Sequence, residues 1–203
     1  SGWSEATHKL KWLNAAQYVE LFKEAVTYYD GDDTRFTDVD GEFDFQSNGK
    51  DWRKGQVDTD WQDLALVKGS VQDHTFSVSG GDDKTTFYVS GGYNNTPGIV
   101  RGNNMGRYSF RGNFDHKVSD KLRVGLNTSL SKTQISRIGS DNSFATPLQG
   151  IAQSPLSPAY LDNGIPNNDS TIYYNFLMEE YNGSWKVNLF KTLMNTYLEY
   201  KIF

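Results

Sequence analysis

His74-Thr75-Phe76-Ser77-Val78-Ser79-Gly80-Gly81-Asp82-Asp83-Lys84-Thr85-Thr86-Phe87-Tyr88-Val89-Ser90-Gly91-Gly92-Tyr93 decides the fold. Two runs alternate apolar with polar or small residues, and a short Gly-Asp-Asp-Lys turn separates them. Successive side chains on a strand point to opposite faces, so the alternation predicts antiparallel strands with one apolar and one wet surface. The pattern continues outward. Four strands are expected, at His74–Gly80, Thr85–Asn94, Arg107–Lys117 and Leu122–Ser131. Their apolar face carries no Asp, Glu, Lys or Arg. The opposite face is polar or glycine almost throughout.

The connections alternate as well. Gly81–Lys84 and Val118–Lys121 are tight turns, whereas Asn95–Gly106 and the segments flanking the block are longer. Strands of about ten residues, with short turns at one end and long loops at the other, form the pattern of an outer-membrane β-barrel. A soluble antiparallel sheet with one buried face gives the same alternation. The fold class read from the pattern is mainly β, about five or six antiparallel up-and-down strands with short helices in long loops; the alternation leaves a partial transmembrane β-barrel and a soluble sheet both open.

Composition narrows the function classes. Of the 203 residues 22% are charged and 36% hydrophobic, with mean hydropathy −0.65. No apolar run is long enough for a transmembrane helix. Aromatics reach 14%, as suits the aromatic girdles of membrane barrels or the exposed rings of glycan-binding proteins. With no cysteine, disulfides and thiolate metal sites are excluded. A net charge of −5 argues against a nucleic-acid partner, which needs a basic stripe. The chain opens on Ser1-Gly2-Trp3 without a signal peptide and closes inside an alternating run, so it reads as a piece of a longer protein.

The expected organisation is one unit over 1–203, a barrel portion if the strands are membrane-spanning. It holds a first long loop with two short helices (9–73), the four-strand block (74–131), a long loop (132–192) and a further strand (193–203). Ser1–His8 could be the tail of a strand. Asn14 and Gln17 form a capping box for a helix whose face is Tyr18, Leu21, Phe22, Ala25 and Val26. A second helix is expected over Asp60–Val67, capped by Thr59 or Asp60. Thr146-Pro147 opens a short helix that ends before Pro155. Ser154–Pro158 and Asp162–Pro166 read as turns.

Chemistry-bearing residues are sparse. The three histidines are scattered, and no nucleophile elbow or phosphate loop occurs, so no enzyme is expected. No cofactor is implied. Asp30–Asp44 is an acidic stretch expected to be a solvated loop; Asp38, Asp40 and Asp44 are its weak candidates for a calcium ion. Trp52, Tyr88 and Arg111 are weak candidates for ligand contacts, Trp52 and Tyr88 by stacking on a sugar. Arg111, Asp115 and Arg123 share the wet face and are expected to form cross-strand ion pairs. Trp61 is a further ring that could stack on a sugar, but its expected role is to anchor its own helix.

Several strings occur together in one order: Asp58-Thr59-Asp60-Trp61-Gln62-Asp63-Leu64, Gly69–Gly81, Phe87–Tyr93, Gly98-Ile99-Val100-Arg101-Gly102 and Arg107–Arg111. Leu13–Tyr18, Ser154–Pro158 before Asp162-Asn163-Gly164, and Asn195–Lys201 belong with them. In these the chain resembles the SusC/RagA family of TonB-dependent outer-membrane transporters, over nearly its whole length. The resemblance implies the first part of a 22-stranded barrel, just after an N-terminal plug, in a Gram-negative outer membrane. It implies import of oligosaccharides or peptides, a SusD-like lipoprotein lid, TonB as energy source and lipid around the barrel. It also makes the tight turns periplasmic and the long loops extracellular. No substrate residue carries over, and this portion alone is not transport-competent. The alternatives are a soluble or surface β-sandwich that binds glycan, and a calcium-stabilised adhesion module built on Asp30–Asp44.

Overall fold

The computed structural model describes residues 1–28, 38–138, 147–183 and 185–203. Its strands are β1 (Gly2–Ser4), β2 (Gly69–Gly81), β3 (Thr85–Pro97), β4 (Asn104–Ser119), β5 (Leu122–Arg137) and β6 (Trp185–Tyr200). They form one sheet in sequence order, every neighbouring pair antiparallel. The sheet is a single layer rather than a sandwich.

The predicted alternation sets its register. Directly opposed residues run in rows across the strands, such as Gly80–Phe87–Phe114–Leu126–Thr196 and Val78–Val89–Gly112–Thr128–Met194. Rings lean over glycines in these rows, Phe87 over Gly80 and Phe110 over Gly112. The apolar face stays open: Phe76 is 76% and Val78 47% exposed. Leu198 and Tyr200 on β6 are equally open.

The strands outrun the alternation that predicts them. β6 begins at Trp185 rather than Leu193, and β5 ends at Arg137 rather than Ser131. The loop between them is correspondingly shorter than 132–192. In these added stretches both faces are mixed: Lys186 and Asn188 share the face of Met194, whereas Val187 and Leu189 share that of Asn195. A period-2 signal vanishes there although the ladder of backbone hydrogen bonds continues.

The tight turns close one end of the sheet. Asp82 Oδ1 accepts from the backbone N–H groups of Lys84 and Thr85, at 2.8 and 2.7 Å, which fixes the β2–β3 turn. At the other end, the β1–β2 and β5–β6 connections fold together into a helical layer. Its helices are α1 (Ala15–Tyr28), α2 (Val39–Gln46), α3 (Trp61–Ala65), α4 (Pro147–Gly150) and α5 (Leu177–Asn182), with a 3-10 turn at Trp52–Lys54.

The predicted capping box of α1 is present. Asn14 Oδ1 accepts from Gln17 N–H (2.9 Å), and Gln17 Oε1 accepts from Asn14 N–H (3.2 Å). Asp60 caps α3 by accepting from Asp63 N–H at 2.9 Å, and the helix ends at Ala65, short of Val67. Where a solvated acidic loop is expected, residues 39–46 are helical. Asp38 caps that helix through Gly41 N–H (2.8 Å), and Phe43 and Gln46 are its buried side. The part of the stretch before Asp38 that includes Asp30, Asp32 and Asp33 lies outside the described residues. So does Thr146, the expected cap of α4.

Two small cores hold the layer. Ala15, Phe43, Val57 and Leu156 form one, with Tyr18, Phe22 and Trp52 packed against it. Trp61, Ala65, Phe176 and Leu177 form the other. Each joins residues from before β2 to residues from after β5.

Candidate functional site

Three surfaces can do chemistry: the loop layer, the apolar face and the polar face. In the loop layer, Trp61 is 3% exposed, and its indole N–H donates to the Ser154 carbonyl at 2.9 Å. That matches its expected role as the anchor of α3. Asn167 and Asn175 are fully buried, and their amides donate to the carbonyls of Pro158, Ala159 and Asn167 at 2.7–3.0 Å. Buried amides satisfied in this way give an irregular loop one fixed shape. Two clefts open on the layer. One, of about 450 Å³, is lined by Arg101, Arg137, Tyr174, Phe176, Glu180 and Trp185. The other, of about 430 Å³, lies between Trp12, Leu13, Tyr18 and Gln153.

The three acidic candidates lie near one another with cations among them. Asp40 meets Lys23 (2.9 Å) and Arg53 (3.0 Å), and Asp44 meets Arg53 (3.0 Å) and the Trp52 indole N–H (2.7 Å). Hydrogen bonds from Lys23 and then Arg53 hold the Asp40 carboxyl below its usual range, and hydrogen bonds to Asp40 and then Asp44 raise Arg53. Asp38 is engaged in capping α2. Among the described residues, no group of three or more metal-ligating side chains converges.

Trp52 does not present a free ring. Its ring packs edge-on against Phe43 (5.0 Å between centroids), with the Arg53 guanidinium 4.1 Å and the Lys23 ammonium 5.3 Å from its own centroid. Cations over an indole face are favourable. Tyr88 sits apart from Trp52, half-buried on β3 between Ser79 and Asn113. The structure places Tyr88 and Arg111 one row apart on the polar faces of paired strands, with Trp52 away from both in the loop layer.

On the polar face, Asp115, Gly125 and Tyr197 face one another across β4, β5 and β6. Tyr197 lays its ring over Gly125, where a Cβ would overlap it, and its hydroxyl donates to Asp115. Arg123 pairs with Asp115 at 3.0 Å, as the wet-face reading expects. Arg111 departs from that reading, having no ion pair or side-chain hydrogen bond among the described residues.

Strand parity gives the charge on each face. From β2 to β6 the polar face carries Arg107, Arg111, Lys117, Arg123, Arg137 and Lys191 against Asp73, Asp115 and Glu199. That is an excess of three positive charges, in a chain of net charge −5. The apolar face carries only Lys132 and Lys186, both near the long-loop end. Sequence reasoning missed Arg107 and Lys191. Arg107 shares the parity of Arg111, a readable signal; Lys191 lay in a stretch read as loop, so it had no parity.

No family model matches the chain. TonB-dependent receptor P26 of Formosa agariphila is 29% identical over 108 residues, covering 53% of this chain and 10% of that protein. TonB-dependent receptor P3 of the same organism is 29% identical over 82 residues, 40% of this chain and 8% of that protein. The solved RagAB peptide transporter covers all of this chain with 25% of its own, at TM-score 0.66 and 18% identity. The chain is similar in sequence to segments of TonB-dependent receptors and shares the fold of a segment of the RagAB transporter. The RagAB peptide importer in its open-open state superposes over the whole segment as well, at TM-score 0.67 and 19% identity, again with 25% of that chain. The segment thus spans about a tenth or less of the curated relatives' length. Its open sheet has the fold of a piece of barrel wall, and the proteins it resembles are named as receptors and transporters.

Proposed function

We propose that the segment is part of the wall and outer loop layer of an outer-membrane transporter, importing oligosaccharides or peptides under TonB. The observation that carries the reading is the open apolar face of the sheet, free of acidic residues and with its two lysines only near one end. Bare, it would expose an extended hydrophobic surface to water; against lipid it is satisfied. The band fits in size. Phe190 to Tyr200 is ten residue steps, about 34 Å of strand, or about 26 Å along the membrane normal at a tilt near 40°.

Its upper boundary fits too. The row His74–Tyr93–Tyr108–Lys132–Phe190 is aromatic with one snorkelling lysine, and the next row, Gln72–Asn95–Gly106–Gln134–Asn188, is polar. Tyr93 and Tyr108 pack ring to ring at 4.9 Å. The helical layer beyond that row then lies outside the cell, and the Gly81–Lys84 and Val118–Lys121 turns face the periplasm. A SusD-like lipoprotein would close over the layer; the likeness to the solved RagAB peptide transporter supports such a partner. Unpaired β1 and β6 edges support continuation into a closed barrel, since open edges are not tolerated in lipid.

The test uses an antibody against Asp58–Gly69. Blotting fractionated source cells should give an outer-membrane band several times larger than this chain, and intact cells should bind the antibody. A soluble band near 23.0 kDa would refute the reading.

A further inference from the structure

We propose that the polar face between β4 and β6 binds the carboxylates of an acidic peptide as it passes through the barrel. The proposal deepens the import reading above and rests on it. Three cations define the patch. Arg107 and Arg111 lie on the same face of β4, four residues and about 14 Å apart. Lys191 opposes Ser131, which opposes Ser109 midway between the two arginines. The strand that carries the ammonium is thus two strand spacings away, about 10 Å.

All three cations are exposed, and none has a carboxylate partner among the described residues. This contrasts with the same face two rows below Arg111, where Asp115 pairs with Arg123. Guanidinium groups present paired donors in a fork that matches a carboxylate. The complement is therefore an anion supplied from elsewhere.

The leucines beside the cations favour a peptide over a sugar acid. Positions between the cations are Ser109, Ser129, Ser131 and Thr133, which carry no ring; Tyr88 lies one row from Arg111, in the Asn113 row. Leu189 and Leu193 flank Lys191 on the same face and are 53% and 57% exposed. Open leucines beside unpaired cations suit a chain that alternates acidic and apolar side chains. Asn113, Asn127 and Asn195 form the next polar row but one beyond Ser109 and supply amides to a peptide backbone.

The test uses the full-length receptor purified with its partner lipoprotein. Its probes are a labelled Glu/Leu-alternating peptide and the same peptide with Gln for Glu. Arg111→Gln and Lys191→Gln are the variants, and gel mobility before and after heating checks that their barrels have closed. The Glu peptide should bind more tightly than the Gln peptide. Each substitution should weaken the Glu peptide by about tenfold and leave the Gln peptide unchanged, with the preference fading at high salt. Equal binding of the two peptides, or a preference that survives both substitutions, would overturn the proposal. So would variants whose barrels fail to close, since the cations would then serve barrel packing. A receptor that binds neither peptide would overturn this inference while leaving import of oligosaccharides standing.

Discussion

Val78→Arg and Ser77→Arg differ by one residue and should differ greatly in consequence. Both side chains lie on β2, on opposite faces. Val78 opposes Val89, in the middle of the apolar band between the Tyr93 row and the tight turns. At 47% exposure it has room for a longer side chain, so in water the change would cost within about 0.5 kcal/mol, as at other open surface positions. Facing lipid at mid-depth, the guanidinium would cost about 2–4 kcal/mol. Near 2.7 kcal/mol that is about a hundredfold in the assembled fraction. Ser77→Arg faces the polar side and should assemble normally. The cost should also fall with depth, to about 0–1 kcal/mol at His74, in the row that already holds Lys132. The assay is the abundance of heat-modifiable, folded full-length receptor in outer-membrane fractions. Equal assembly of the Val78 and Ser77 variants, or a worse outcome for Ser77→Arg, would refute the facing of the sheet.

The loop layer yields further expectations. Asn14→Ala removes one arm of the α1 capping box and should cost about 1 kcal/mol, seen as faster proteolysis at α1 in the intact receptor with its barrel unaltered. Trp61→Ala empties the centre of the second core and strands the Ser154 carbonyl; at about 3–5 kcal/mol it should open the layer to protease without closing down barrel assembly. Asp40 carries a lowered folded pKa, so its contribution is present above the unfolded value, about 3.9, and is lost as pH falls through the still lower folded value. Protection of the packing between α1 and α2 should therefore be flat from neutral pH down to about 4, fall as pH drops below the ordinary aspartate value and level off below the lowered folded value. Asp40→Asn should abolish that acid-side step.

The strand block was legible because each side chain there answers to one solvent per face. Phe76, Val78, Phe87 and Val89 share a side, and nothing local competes with that alternation. The missed strand ends lie at the long-loop end, where Lys186 and Asn188 fall on the apolar face and Val187 and Leu189 on the polar one. Here the ladder persists for reasons of backbone pairing alone, which no side-chain period records. α2 was hidden for a related reason: Asp40, Glu42 and Asp44 make Val39–Gln46 look solvated, and its buried side amounts to Phe43 and Gln46. α5 is a six-residue helix, too short to show a period. Of the polar-face patch, Arg111 was legible and its isolation was not. That depends on Asp115 being engaged by Arg123 and Tyr197, a fact of register rather than of composition.

The two cores of the loop layer have a consequence for the wall beneath them. Trp61 stands before β2 and Phe176 after β5, yet their rings meet at 6.1 Å. Ala15 and Leu156 join the other core in the same way. Four strands intervene between the partners, so these contacts form only when β2 to β5 have paired in register. A slip of one residue would turn Phe76 and its neighbours to the polar face, and it would also displace α3 from α5. The layer thus acts as a tie across the end of the four-strand wall, rewarding the correct register with buried apolar area that the sheet alone does not have. Once formed, the tie fixes the spacing of the strand ends around Arg101, Arg137 and Trp185. The spacing of this end of the sheet is set by packing within the chain.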